Sequence, residues 1–416
     1  MNDTLNDLIH WVVKEGGHVD ARVRFQCGPE YTAYASELVE EGTTIIQVPK
    51  SCLICTRNSP LSNVIESELS GIVSLAAALL YEIQCYFTDR ESTPWAPYIR
   101  IIDPPSALES DDPIVRRQTL LDTDTSCQLW PDPQILKGTN VDLIGALSSA
   151  DLAEMYQLFA EFVDKHMHLF PNRPLCSQES FLWAFNCVSR RAFEIDNYRG
   201  LALCPLADLL NHSPEASSNC RFMTPDQVCD TCGSWDTCEH DNEPNEADEE
   251  SSCESDDISD ISSEPPDCVD EENQEEIDFC EIVTHSHVLK NEEILNTYGP
   301  LNNATLLMKY GFAIEDNPDD ILIIGPQLSS LIRSRCPRIW RYWLKHFGQI
   351  CQQGISSNLQ TICISTPTLA PHVLSDGEFR TIFYLQVLKY TEGLLPGSAS
   401  LRVTSLSQVE NHFCCH

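Results

Sequence analysis

The chain has 416 residues, of which 42% are hydrophobic, and this is enough for two or three domains with sizeable cores. Its formal net charge is −37, and 23 of the 63 acidic residues, but none of the 26 basic ones, lie between Arg221 and Lys290. This charge argues against direct nucleic-acid binding, because neutralising phosphates needs clustered Lys and Arg. It favours a protein partner with a basic segment.

The N-terminus lacks the basic start and apolar run of a signal peptide. No stretch is expected to reach the length of a membrane span, so no membrane partner is predicted. We therefore expect the protein in the cytoplasm and/or nucleus, as a monomer. Its 20 cysteines should be reduced, with some of them available as metal ligands.

Hydrophobic periodicity predicts a first helix over residues 5–13 and two short strands within 30–49, the second ending at Pro49. A helical apolar stripe over 72–83 is interpreted as core packing. Residues 90–140 are rich in Pro, Asp and Ser but also carry frequent aromatic residues. We expect them to form an irregular, folded connector.

Two further helices are predicted over residues 150–170 and 177–193, and a buried strand over 201–206. Toward the C-terminus, the apolar pattern predicts helices over 332–347 and 378–393. No internal repeat is visible.

The composition changes abruptly between Cys229 and Cys280, where acidic residues, Ser, Asn and Pro dominate. Most of this insert should be disordered, because it has too little apolar surface to offset the entropy of ordering. Strand patterns resume at 281–284 and 292–298, so the insert is predicted to be an expanded hairpin loop. It can be a solvated spacer or an electrostatic attachment point for a basic protein tail.

Three short motifs follow one another on either side of the insert: Asp208-Leu-Leu-Asn211-His212, then Thr297-Tyr298-Gly299, then Asn303 leading to Tyr310-Gly311-Phe312. In this order the chain resembles the SET-domain methyltransferases, and among them the Rubisco large-subunit methyltransferase-like group. Further matches, over roughly residues 5–325, are Glu41-Gly42, Val48-Pro49, Trp95-Ala-Pro97-Tyr98, Trp130, Leu136-Lys137-Gly138-Thr139, Trp183, Ser189-Arg190 and Glu292-Glu293.

The resemblance implies an α+β fold in which a SET domain of short β-strands is split by a helical insertion and followed by a small, mostly α-helical domain. The implied divisions are 1–82 and 181–315 for the SET domain, 83–180 for the insertion and 316–416 for the helical domain. The acidic insert then occupies about 225–280. The implied activity is S-adenosylmethionine-dependent methylation of a protein side chain, usually lysine and in one branch histidine.

The resemblance also implies roles for individual residues. Tyr298 is the catalytic residue, with its hydroxyl at the reaction centre. The remaining implied roles are donor binding by Asn211, His212, Arg190, Glu30, Tyr31 and Thr32, substrate contact by Ser189 and Asp208, and walls of a lysine channel by Tyr310 and Phe312. Each residue also has a purely structural interpretation, such as a core aromatic, a turn residue or a cap.

One segment departs from the family pattern. The family has a Gly-x-Gly turn in its N-terminal part, and here Glu30 and Thr32 stand at the expected glycines. A side chain where a backbone must approach closely can crowd a ligand. A catalytically weak SET-fold protein that binds partners through its acidic insert is therefore the alternative hypothesis. A zinc hydrolase has little support, because no His-Glu-x-x-His cluster occurs.

Four potential zinc ligands lie within 12 residues at the start of the insert: Cys229, Cys232, Cys238 and His240. Thiolates and imidazole can hold zinc tetrahedrally. The spacing is not that of a recognised zinc finger, and free thiols in a loop are the alternative. The four residues are therefore candidates only.

Overall fold

The computed structural model describes residues 3–28, 31–123, 136, 141, 149–225, 228–234, 238–242, 278–323 and 363–365. The chain divides into two compact units. The first consists of Met1–Asp124 and Ser149–Tyr298, and the second of Thr125–Ser148 and Gly299–His416. The divisions drawn from the resemblance stay predictions, although the one at residue 82 falls inside a helix.

The helices described in the first unit include the four that the sequence periodicity predicted, near residues 5–13, 72–83, 150–170 and 177–193. They are α1 (Asp3–Lys14), α2 (Ser62–Glu68), α3 (Gly71–Thr88), α4 (Ala96–Ile102), α5 (Pro113–Thr123), α6 (Ser149–Lys165) and α7 (Gln178–Arg191). α1 buries Leu5, Leu8 and Val12 on one face. α7 begins where the Ser177 side chain accepts a hydrogen bond from the backbone N–H of Ser180.

Residues 90–140 are more regular than predicted, because α4 and α5 both form within them. The prediction of an irregular connector was wrong in these two places. Pro97 lies in the first turn of α4, and Pro113 is the first residue of α5. Proline is tolerated there because the N–H groups of the first turn have no partner within the helix.

α3 is an apolar helix of 18 residues with a mean hydropathy of 1.3. By length and composition it qualifies as a membrane span, so the prediction that no stretch would do so was wrong. However, 67% of this helix is buried within the fold. Packing against α7 and its neighbours accounts for its apolar residues, as the core interpretation of 72–83 predicted.

The strands of the first unit form small sheets. They are β1 (His18–Val19), β2 (Val23–Cys27), β3 (Tyr31–Ala35), β4 (Thr44–Pro49), β5 (Ile54–Cys55), β6 (Ala192–Glu194), β7 (Leu201–Leu203), β8 (Asn211–His212), β9 (Cys220–Met223), β10 (Phe279–Thr284) and β11 (Leu295–Asn296). Sheet orders are β1-β4-β10-β9, β5-β7-β6 and β2-β3, all antiparallel, and β8-β11, which is parallel. This mixture of helices and small sheets confirms the α+β class.

The acidic insert joins two neighbouring strands. β9 and β10 pair antiparallel from Cys220 opposite Thr284 to Met223 opposite Glu281. The prediction of an expanded hairpin loop is therefore confirmed. The prediction of disorder falls mostly outside the described residues.

A buried cluster of charges closes the base of this hairpin. The Lys50 ammonium lies 2.9 Å from Asp196 Oδ2 and donates to the Pro225 carbonyl oxygen at 3.3 Å. It also forms an ion pair with Asp278 Oδ2 at 2.9 Å. The Arg199 guanidinium pairs with Asp196 at 2.8 Å. Lys50 thus contacts both ends of the insert.

The described part of the second unit contains α8 (Asn303–Tyr310), β12 (Ile321–Ile323) and β13 (Cys363–Ser365), with the two strands antiparallel. The Asn302 side chain caps α8 by accepting from the Thr305 backbone N–H at 3.0 Å. The helices predicted over 332–347 and 378–393 lie outside the described residues.

Candidate active site

The first two sequence motifs meet at Tyr298. Its hydroxyl donates a hydrogen bond to the Leu210 carbonyl oxygen at 2.9 Å, and its backbone N–H donates to His212 Nδ1 at 3.0 Å. The Tyr298 and His212 rings are stacked, with centroids 4.9 Å apart. Leu295 and Asn296 pair in register with Asn211 and His212, so the short parallel β8-β11 pair fixes this contact.

Strand β3 lies beside this pair. The Asn211 side-chain amide donates to Glu293 Oε1 at 2.9 Å, and Glu293 is bridged to Tyr34 of β3. Tyr31 and Thr32 occupy the start of β3 and are half-buried. The structure therefore brings the segment of the altered glycine turn to the same edge of the unit as Asn211.

Thr32, one of the two residues that replace the family's glycines, lies in the β2-β3 pair. Tyr31 pairs with Cys27 and Thr32 with Gln26, so Thr32 is a strand residue with a side chain in place of the glycine of the family pattern. Burial raises the pKa of the Tyr31 hydroxyl. Glu30, the remaining residue predicted here, lies outside the described residues.

The side chain of Asp208 is completely buried and is held from two sides. Its Oδ2 accepts a hydrogen bond from the Tyr98 hydroxyl at 2.9 Å and lies 2.7 Å from a nitrogen of Arg191. Burial raises the pKa of Asp208, while Arg191 and Tyr98 act in the opposite direction. Burial also raises the pKa of Tyr98 well above its usual range, so its hydroxyl keeps the proton that it donates.

The other oxygen of Asp208, Oδ1, is buried and accepts no hydrogen bond within the described part of the chain. Leaving such an oxygen without a donor costs about 1–3 kcal/mol. Leu206, which precedes this turn, has a φ of +68°. Because this region is disfavoured for residues with a Cβ, the backbone around Asp208 is strained, as is common at functional sites.

Sequence reasoning missed Arg191 and Tyr98. It placed the functional arginine at Arg190, which is half-buried at the end of α7, like Ser189. The helical period held the signal, because Arg191 lies three residues after the buried Val188 and so continues the inward face. Tyr98 was noted only as part of a family match.

Tyr310 and Phe312 belong to the second unit. Their ring centroids are 6.2 Å apart, and the Lys309 ammonium lies 5.3 Å from the centre of the Tyr310 ring. Gly311 between them ends α8 with a φ of +85°, a conformation that suits glycine. The role of the two aromatic residues as channel walls stays a prediction.

The four candidate metal ligands, Cys229, Cys232, Cys238 and His240, come together in the first unit. One ligand atom of each lies within 4.8 Å of those of the other three. All four residues predicted from the sequence as metal ligands therefore lie together.

Comparison with known proteins finds similar lysine methyltransferases. No protein-family model matches the chain. The chain is similar to ribosomal lysine N-methyltransferase 3 of Saccharomyces cerevisiae, with 27% identity over 377 residues, which covers 80% of this chain and 67% of the yeast protein. N-lysine methyltransferase SETD6 of Rattus norvegicus is 23% identical over 347 residues, covering 77% of this chain and 56% of the rat protein. The chain is a relative of the SET-domain lysine methyltransferases.

The chain itself spans about two thirds of the length of the yeast protein and little more than half of the length of the rat protein. Among solved structures, it is similar to the SET domain of LSMT bound to lysine and AdoHcy, with a TM-score of 0.46 and 18% identity over 77% of this chain and 60% of the other. The family resemblance predicted from the motifs is confirmed by the sequence relatives.

Proposed function

We propose that the chain transfers a methyl group from S-adenosylmethionine to a lysine side chain of a protein substrate. The observation that carries this proposal is the contact of the Tyr298 hydroxyl with the Leu210 carbonyl oxygen. It brings two motifs that are 88 residues apart in the chain to one point. That point is where a methyltransferase of this family needs an oriented hydroxyl beside the donor-binding strand.

The edge formed by Asn211 and His212 would hold the donor. S-adenosylmethionine, when bound, supplies the methyl group on a positively charged sulfonium. His212 Nδ1 accepts the Tyr298 N–H, so in the neutral ring the proton is on Nε2. Tyr31 and Thr32, beside Asn211 through β3, would line the same pocket, with Glu30 and Arg190 as its remaining predicted members.

Asp208 is proposed to contact the substrate amine through its unsatisfied Oδ1. Arg191 and Tyr98 fix the carboxylate through Oδ2, which leaves the second oxygen oriented and buried. A carboxylate in such a setting attracts an ammonium group more strongly than one in water. Ser189, at the end of α7, is proposed as a second contact.

The acceptor lysine must lose its proton before it can attack, and its reference pKa is about 10.4. An apolar channel lowers the pKa of an amine because it disfavours the charged form. We propose Tyr310 and Phe312 as aromatic walls of this channel. Holding the amine in line with the methyl group can lower the activation barrier of methyl transfer by about 7 kcal/mol.

The alternative is a SET-fold protein with little activity that binds partners through its acidic insert. The specific observation in its favour is Thr32, whose side chain replaces the family's glycine in β3. Histidine is the alternative acceptor. In either case the 23 acidic residues between Arg221 and Lys290 favour a partner with a basic segment, and we propose a monomer resident in the cytoplasm and/or nucleus.

The test combines donor binding with transfer. Purified chain is titrated calorimetrically with S-adenosylmethionine, and labelled donor is then used on a protein array, followed by hydrolysis and separation of methylated amino acids. Binding together with labelled methyl-lysine supports the proposal. Binding that is undetectable at sub-millimolar donor supports the weak SET-fold alternative, and label recovered as methyl-histidine changes the acceptor.

A further inference from the structure

A tight turn of the form Cys-x-x-Cys-Gly opens the acidic insert. The Gly233 N–H donates to the Cys229 carbonyl oxygen at 2.8 Å, and the Cys229 N–H donates to the Ser234 carbonyl oxygen at 2.8 Å. Gly233 has a φ of +73°, and a Cβ there would lie 2.4 Å from a carbon of the Tyr198 ring. The turn thus needs glycine for both its conformation and its packing, and it sets Cys229 and Cys232 at a defined separation.

Two more ligands follow the turn: Cys238 directly before a short 3-10 helix (Glu239–Asn242), and His240 within it. Cys238 Sγ lies 3.7 Å from His240 Nδ1. The three sulfur atoms and one imidazole nitrogen are all within 4.8 Å of one another. In a tetrahedral zinc site with ordinary bond lengths, neighbouring ligand atoms are roughly 3.5–3.8 Å apart. The four groups therefore need only a small contraction to enclose an ion.

We propose that Cys229, Cys232, Cys238 and His240 bind one zinc ion. Three thiolates and an imidazole form a soft set that suits Zn²⁺ and not the oxygen-seeking Mg²⁺ or Ca²⁺. Four protein ligands complete a tetrahedron, so the site is structural and leaves no position for substrate. None of the three cysteines in this set forms a disulfide.

The site is built onto the core of the first unit. The Asn197 side-chain amide donates to the Val228 carbonyl oxygen at 3.0 Å, and its oxygen accepts the Val228 N–H at 3.1 Å. The same amide donates to the carboxylate of Asp230, inside the turn. Next to Asn197 lies Asp196 of the buried charge cluster. Zinc would therefore fix the start of the insert to the base of the β9-β10 hairpin.

The proposal does not rest on methyl transfer, and its test is independent of it. The full chain is purified without chelator or added metal, and its zinc content is measured by mass spectrometry. We expect about one zinc per chain. Cys232→Ser and His240→Ala should each reduce the content to background, whereas Cys176→Ser, a half-buried cysteine away from the site, should retain it.

A second measurement guards against variants that fail to fold. Zinc is removed from the wild-type chain with a chelator and replaced by Co²⁺, whose absorption spectrum reports a tetrahedral site with thiolate ligands. A tetrahedral thiolate spectrum at one equivalent supports the site. Absence of zinc after purification combined with no such spectrum would overturn the proposal, as would zinc that is retained in Cys232→Ser.

Discussion

Lys50 and Asp196 form an ion pair of 2.9 Å whose side chains are only 1% and 0% exposed. They are 146 residues apart in the chain. A buried ion pair can be neutral in net free energy, but removing one partner leaves an uncompensated charge in the core.

Lys50→Met should therefore destabilise the first unit by about 3–5 kcal/mol, which corresponds to a melting temperature lower by roughly 10 °C. Thermal unfolding followed by circular dichroism measures the change. Lys165→Met is the matched control, because the Lys165 ammonium also pairs with a carboxylate but is 63% exposed. If both variants melt at the same temperature, the cluster does not stabilise the fold.

The same cluster predicts a dependence of stability on pH. Burial raises the pKa of Asp196, but hydrogen bonds from Lys50 and Arg199 outweigh burial and leave it below its usual range. An acid with a lowered pKa stabilises the fold above its unfolded pKa of about 3.9, and this stabilisation is lost as the pH falls through the folded value. The difference in unfolding free energy between wild type and Asp196→Asn should have its largest value at pH 7 and should decrease below about pH 4. A constant difference between pH 3 and pH 7 would contradict this.

Tyr298→Phe should lower the methyl-transfer rate by about 100-fold while leaving donor affinity almost unchanged. The ring that stacks on His212 is retained, and only the hydroxyl is lost. Tyr156→Phe is the control, because its hydroxyl also faces a backbone carbonyl, that of Cys176 at 3.4 Å. Single-turnover transfer and calorimetry separate the two effects. Unchanged transfer in Tyr298→Phe would remove Tyr298 from catalysis.

Arg190 and Arg191, at the end of α7, should differ in their contribution to stability. Arg191→Ala leaves Asp208 buried without its cation and should cost about 3–5 kcal/mol of stability. Arg190→Ala, which keeps the ion pair, should affect donor affinity and leave the melting temperature close to that of wild type. Thermal melts and calorimetric titration of both variants test this assignment. Equal melting temperatures for the two variants would show that the Arg191–Asp208 pair is dispensable.

The acidic insert should be removable without loss of the fold. Replacing residues 243–277 by a short Gly-Ser linker keeps Asp278, the proposed zinc ligands and the β9-β10 pairing. Shortening a loop of this length should change the free energy of unfolding by no more than about 1 kcal/mol. Loss of cooperative melting would show that the insert is structural. If the insert recruits basic segments, the variant should also lose salt-sensitive binding to a lysine-rich peptide.

Periodicity and composition predicted the local structure well. The helices over 5–13 and 177–193, and the hairpin that carries the insert, formed because their apolar spacing matches their burial. The prediction failed around Pro97 and Pro113, where proline stands in the first turn of a helix and the sequence was expected to be irregular.

The site was predictable only in part. Motif order led to Asn211, His212 and Tyr298, and their contacts are present. Tyr98 was missed as a partner of Asp208, since the two are 110 residues apart in sequence and no local pattern marks such a pair. Contacts of this kind depend on the packed fold and have no periodicity of their own.

The position of the hairpin also bears on how copies of the chain meet. β9 lies at the end of the β1-β4-β10-β9 sheet, and such end strands are common starting points for aggregation. Here the end strand leads directly into a segment in which acidic residues outnumber basic ones by 23 to none. Two molecules that approached each other strand to strand would bring these charges together. Electrostatic repulsion would then oppose self-association, most effectively at low ionic strength.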